Sequence, residues 1–245
     1  MDSAQDHPTR PATLSDVAML RYDTRRRVWR DVPSAAAMAR RLLAAGAPVD
    51  GSPDDRETPL ITAASYGDAG VAKVLIEAGA DLDRTARADA GGVPGGTALL
   101  HAAVFGMTDV LDLLVAAGAT VGGIEEAAAA SDVTDWLKPE TPADAKLRAL
   151  VMAADHERLD VIDQLLAADT PVDGIDPAFG GHALRTAATN GRPASVGHLL
   201  ARGADPNLKD ENGNTPLDLC RQQRREHEDR TGHDLVEAIL APRTT

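Results

Sequence analysis

The sequence predicts an all-α fold: about seven helix–turn–helix units stacked into a solenoid and joined by hairpin loops, as one domain over residues 1–245. Three observations predict it. First, an Ala-Ala pair with Leu or Ile three residues before it recurs at Leu60, Leu99, Ile124, Leu150 and Leu184, and TPL repeats the Leu at Leu217. Successive spacings are 39, 25, 26, 34 and 33, and a fixed period of this size marks a stacked array. Second, all of these pairs but the one after Ile124 are followed by a second apolar run ending in a turn: LIEAGADLD, LVAAGATV, LLAADTPVD and LLARGADPN, with an early LLAAGAPVD at residues 42–50. Third, the chain is 43% hydrophobic but only 2% aromatic. A core of Ala, Leu and Val suits helices that approach closely. One helix pair cannot bury its own apolar face, so stacking must supply the core.

The units follow in order. Residues 12–50 form a degenerate unit, expected to cap the N-terminal end, since terminal repeats face water. Residues 57–83 are regular. Thr58 can cap the free N–H groups of the first helix, and Pro59 suits a position where an N–H would go unpaired. Residues 95–121 are regular but follow a long turn, RTARADAGGVPGG. Residues 123–137, GIEEAAAASDVTDWL, align as a first helix with Ser131 at the turn glycine. The segment then ends too soon for a second helix, so this fourth unit is truncated, and Trp136 is expected to plug the vacated core. Residues 141–173 and 181–207 are recognisable units. Residues 214–240 form a C-terminal cap with the insert RREHEDRTG. Gly67, Gly106 and Gly191 fit the left-handed turn after each first helix, and Gly79, Gly118 and Gly203 the turn after each second.

The motifs TPL (58–60, 215–217), AASYG (63–67), AAVFG (102–106), AATNG (187–191), GAD (79–81, 203–205) and DENGNTPLDL (210–219) resemble the ankyrin repeat family, in the form of a stand-alone bacterial-type member. The resemblance covers most of the chain and is weakest over residues 1–34 and 221–245. It implies a concave groove built from first helices and hairpin tips, used in that family to bind partner proteins without chemistry.

Several classes are disfavoured. The net charge of −13 repels phosphate backbones and anionic membranes, so neither nucleic acid nor membrane is expected as a partner. The start of the chain lacks an apolar signal region, and no apolar run is long enough to span a membrane. A single cysteine, Cys220, excludes an internal disulfide and fits a cytoplasmic location. GGVPGG lacks the Lys-Ser/Thr and preceding strand of a phosphate loop. DENGN has its glycine at the wrong position for a calcium loop. His227 and His233 match no metal-ligand template. No metal and no cofactor are expected. Residues 21–30, RYDTRRRVWR, read as a solvated cap or as a docking patch for an acidic partner.

Residues four apart on a helix share a face. The position before each Ala-Ala pair and the one four later therefore trace a column: Thr62 with Tyr66, His101 with Phe105, Glu126 with Ala130, Met152 with His156, Thr186 with Asn190. Exposed aromatics in an aromatic-poor chain suggest binding anchors. Tyr66, Phe105, Ala130, Met152, His156, Asn190 and the tip residue Phe179 are the expected binding residues for a partner protein, one with a basic region given the acidic field. A second reading stands beside this one. The small Ala130 between Phe105 and His156 would leave a notch lined by His101, Phe105, Glu126, Ala130, Met152 and His156, mixing apolar walls with a few polar groups as ligand sites do. There a His101–Glu126 pair, with His156, would act as acid and base on a hydrophobic small molecule, or merely satisfy buried polar groups. No nucleophile or nucleotide motif supports the enzyme reading.

Overall fold

The computed structural model describes residues 12–23, 28–29, 34–177, 180–226 and 230–244. The helices come in pairs: α1 (Leu14–Ala18) with α2 (Ala35–Ala44), α3 (Pro59–Tyr66) with α4 (Ala69–Glu77), and α5 (Ala98–Val104) with α6 (Thr108–Ala116). Next comes the unpaired α7 (Ile124–Ala130). Then follow α8 (Ala143–Asp155) with α9 (Leu159–Ala167), α10 (Ala183–Thr189) with α11 (Pro193–Ala201), and α12 (Pro216–Gln223) with α13 (Thr231–Leu240). A two-residue antiparallel ladder, Tyr22–Asp23 on Val28–Trp29, separates α1 from α2.

The first helices stack in one row, α1 on α3, α3 on α5, α5 on α7, α7 on α8, α8 on α10 and α10 on α12. The second helices form an outer row, α2 on α4 and α4 on α6, then α9 on α11 and α11 on α13. Fully buried Leu60, Leu75, Leu99, Leu111, Leu150, Leu165, Leu184 and Leu199 fill the space between rows, with the paired alanines at the helix crossings.

Local chemistry sets each unit. Thr58, Thr97 and Thr215 accept from the N–H three residues on, closing the first turn of α3, α5 and α12. His182 stands where Thr would, and its Nδ1 accepts from Arg185 N at 3.4 Å. The first-helix turns are left-handed at Gly67, Gly106 and Gly191. Ser131, Glu157 and Asp169 adopt the same conformation without being glycine, each at a cost of about 1 kcal/mol.

Between α7 and α8 the second helix is missing. Trp136 does not plug the space: it is 38% exposed, and Val133 is fully buried instead. The segment is a single turn, closed by Trp136 N and Leu137 N on Val133 O, so it turns Val133 inward. The rest of the gap is filled from the next unit. Arg158, at the start of α9, donates from Nε to Ala129 O of α7 at 2.7 Å and pairs with Asp112 of α6.

The hairpin tips are stitched by carboxylates. Asp81 N donates to Asp50 and Thr120 N to Asp83 in the first half of the chain, and Asp205 N to Asp173 in the second. Among the described residues no helix is long and apolar enough to cross a membrane.

Candidate functional site: the face of the first helices

The column predicted from the sequence runs along the first helices, and its members have different fates. His101 is buried at the C-terminal half of α5. Its Nε2 lies 3.0 Å from Val93 O, and its Nδ1 lies 2.8 Å from Ser65 Oγ of α3. A carbonyl only accepts, so Nε2 carries the proton and Nδ1 accepts from the hydroxyl. This explains GGVPGG. The long tip folds over the imidazole, and a Cβ at Gly92 or Gly96 would stand 3.1 Å from the ring. Burial pushes the His101 pKa below its ordinary value, with the Val93 bond acting the other way.

Glu126 does not pair with His101. It is the third residue of α7, whose N-cap, Gly123, has no side chain to offer. One carboxylate oxygen accepts from Gly122 N and the other from Thr97 Oγ1 at 3.3 Å. The carboxylate thus closes the start of α7 from the residue before its N-cap, much as the returning side chain of a capping box does. Burial raises its pKa above the ordinary value, against the hydrogen bonds of Gly122, Thr97 and Gly123.

His156 is also buried, and it reaches past the truncated unit. Its Nε2–H donates to Ala103 O at 2.9 Å, and its Nδ1 accepts from Thr108 Oγ1 at 2.9 Å, both in the α5–α6 turn. Burial lowers its pKa. The neighbouring Asp155 carboxylate packs over Gly106, and it accepts from Asn190 Nδ2 at 2.9 Å and Arg192 Nε at 3.2 Å. Arg192 in turn donates to Gly106 O. The α5–α6, α8–α9 and α10–α11 turns are thereby locked together.

These contacts close the expected notch. His101, Glu126, Ala130 and His156 border neither of the two cavities described next, and His156 bridges from α8 to α5 and α6. Two other cavities open on this face. The larger, about 450 Å³, lies between turns of the two halves and is bordered by Phe105, Met107, Val110, Asn190, Arg192 and His233. The smaller, about 190 Å³, lies toward the α9–α10 hairpin and is bordered by Val104, Val151, Met152, Asp155, Asp176 and Thr186 among others. Phe105 is 37% exposed, its ring edge-on to His101 with centroids 6.0 Å apart. Asn190 borders both cavities. Tyr66 is half-buried beside Gly67, another residue of the larger cavity.

Phe179 and His227 lie outside the described residues, as do the side chains of residues 21–30. The described residues hold no cluster suited to a metal ion. His233 donates from Nε2 to Thr189 O at 2.9 Å, and burial pushes the Cys220 thiol up to about 11. The DENGN loop is an Asp-centred turn, with Asn212 N and Asn214 N donating to Asp210.

Two family models described as ankyrin repeats match the chain, one over residues 34–123 and one over residues 165–220. Together they span more than half of the 245 residues. Among solved structures, the crystal structure of the human ASB11 ankyrin repeat domain is similar at 22% identity and a TM-score of 0.38, over 83% of this chain and 96% of that one. No curated protein matches.

Proposed function

The chain belongs to the ankyrin repeat family, and from that premise we propose that it is a non-catalytic scaffold that binds a partner protein through the concave face of its first helices and hairpin tips. Ankyrin repeats generally serve as protein–protein interaction scaffolds. One observation carries the reading here. The groups that could act as acid and base, His101, Glu126 and His156, spend their hydrogen bonds on the fold itself, whereas Phe105 and Asn190 are exposed at the edges of the two cavities. The net charge of −13 and the exposed carboxylates of Asp50, Asp81, Asp83 and Asp173 favour a partner segment of basic character. The test is affinity capture from source-cell lysate with the wild-type chain and with F105A/N190A. A protein retained by the first and lost by the second is expected; identical recovery from both overturns the assignment of this face.

A second reading places a hydrophobic small molecule in the larger cavity, whose 450 Å³ falls within the range of ligand pockets and whose apolar wall is Phe105, Met107 and Val110. A thermal-shift screen of apolar metabolites tests it, with any stabilisation required to vanish in V110W.

A further inference from the structure

The start of α10 is capped by a group that titrates. Thr13, Thr58, Thr97 and Thr215 cap α1, α3, α5 and α12 through a hydroxyl, which accepts at any ordinary pH. α10 uses the His182 imidazole instead. Its bond to Arg185 N is 3.4 Å, against 3.1 Å from Ile61 N to Thr58. An imidazole nitrogen accepts only while it carries no proton. The proton of the neutral ring therefore sits on Nε2. There it meets no hydrogen-bond partner, although the residue is only 2% exposed. A buried donor left unpaired is destabilising, and the threonine caps avoid it. Such departures from a local rule are expected where a fold serves something besides stability.

Three charged groups act on the ring. Arg185 belongs to α10 itself, Asp173 to the tip before it and Asp205 to the tip after it. The two tips are already joined, since Asp205 N donates to the Asp173 carboxylate. The Arg185 guanidinium is turned to Gly180 O at 2.9 Å, near Glu211 of the next tip. Asp155 of α8, with Arg192 of α11, and His233 of α13 meet α10 at its other end, at Asn190 and Thr189. Asp218 of α12 is held by its own cap, Thr215. Burial and then Arg185 keep the imidazole below its ordinary 6.5, with Asp173 and Asp205 opposing them. At neutral pH the ring is therefore uncharged and the cap is in place.

We propose that His182 is an acid-operated catch: uncharged it caps α10, and protonated it releases Arg185 N, turns toward Asp173 and Asp205, and loosens the start of the helix. An imidazolium has no free lone pair to offer the Arg185 amide. Its charge also faces the positive end of the helix, where a cation is unfavourable. The two carboxylates give it an alternative place, so the ring has two arrangements that pH can choose between. Gly181, Arg185 and Thr186 border the smaller cavity, so the catch changes one wall of the concave face. The proposal stands apart from the scaffold reading and adds acid sensitivity to that wall.

The test is amide hydrogen exchange of the full chain, read by ¹⁵N–¹H NMR from about pH 7.5 down to the onset of unfolding. Protection at Arg185 is divided by protection at Ile61, whose hydroxyl cap does not titrate, so that the direct effect of pH on exchange cancels. The expected result is a ratio that falls about tenfold for each pH unit below the imidazole midpoint, as the neutral fraction does. H182T and H182N supply caps that do not titrate, and either should hold the ratio constant; circular dichroism checks that each is folded. A ratio that stays constant in the wild type overturns the proposal. So does an imidazole that takes up no proton before the fold is lost, or a fall that persists in the folded variants. An Arg185 resonance that moves with pH while its protection stays unchanged also overturns it, because the ring then senses acid without releasing the helix. None of these results bears on capture through Phe105 and Asn190, which is read at neutral pH with His182 in its capping form.

Discussion

At a regular junction, such as unit two on unit three, α4 lies against α6 and α3 against α5, and the seam is mostly apolar, the Ser65–His101 hydrogen bond being side chain to side chain. At the truncated junction only the inner row is continuous. Where a second helix would stand, the chain places Val133, the Arg158 guanidinium, the His156 imidazole and the Asp155 carboxylate. Each of the last three meets α5, α6 or α7 mostly through backbone: Ala129 O, Ala103 O and the Gly106 turn. Apolar contact is non-directional and tolerates small shifts. Hydrogen bonds to buried backbone do not, and losing one leaves an unpaired group that costs about 1–3 kcal/mol. The deletion has therefore exchanged a tolerant seam for one sensitive to sequence and to pH.

Glycine substitution gives the largest expected contrast. Gly106 has φ +68°, and a Cβ there would overlap the Asp155 carboxylate; Gly118, in an ordinary second-helix turn, has φ +90° and open space around it. G118A should cost only the left-handed strain, about 1 kcal/mol. G106A adds overpacking at the locked turns, for about 3 kcal/mol in all. Urea denaturation of the two variants measures the difference, and equal costs would show that the turns are not locked as described.

The buried plug comes next. V133A removes two buried methyl groups at a place with no helix to close over them, for about 1.5 kcal/mol or more.

The pH dependence follows from the imidazoles. His101, His156 and His182 all have pKa values lowered by burial from the ordinary 6.5. For His156, Asp155 opposes the effect, and Arg192 and Arg158 reinforce it. A lowered folded pKa means that the unfolded chain binds the proton more tightly. The stability these groups contribute is full above pH 6.5 and is lost as pH falls below it. Glu126, raised above 4.5, has the opposite sign and offsets part of the loss only at lower pH. Melting temperature should fall between pH 7.5 and 5.5, and H156Q, whose amide can still donate to Ala103 O, should flatten that slope. An unchanged slope in H156Q would remove the truncated seam from the account of acid sensitivity.

How much of this was legible depends on sequence distance. Thr caps, left-handed glycines and the Ala-Ala crossings act within a few residues, and the repeat supplies several copies of each, so the fold and the missing second helix could be read directly. Glu126 is also local: it accepts from Gly122 N, four residues before it, while the four-residue column places it beside His101, which it does not meet. The early start of α8 carries its own signal, the Thr-Pro at residues 141–142, where the fifth unit is placed from the sequence. The partners of His156 were not legible. Ala103 and Thr108 lie 53 and 48 residues away, and the contact spans the truncated unit. Trp136 against Val133 turned on the phase of one short turn, which composition does not set.

The smallest effect separates two arginines that look alike in the sequence. Arg158 begins α9 and Arg202 ends α11, and each meets a carboxylate of the preceding outer helix, Asp112 and Asp163. The surroundings differ. The Arg202 side chain is 46% exposed and its partner 37%, and the pair lies on a seam already held by α9 against α11. An exposed ion pair of this kind is worth well under about 1 kcal/mol. The Arg158 side chain is 18% exposed and also donates to Ala129 O, a carbonyl at the end of α7 with no following helix to cover it. R158M keeps the stem but strips that bond, and should cost about 1–1.5 kcal/mol. R202M should cost less than about 0.5 kcal/mol. Raising the salt to about 1 M, where the screening length is about 3 Å, should erase the R202M effect and leave most of the R158M effect. If salt erases both, Arg158 acts as a surface charge only, and the truncated seam is held by Val133, His156 and Asp155.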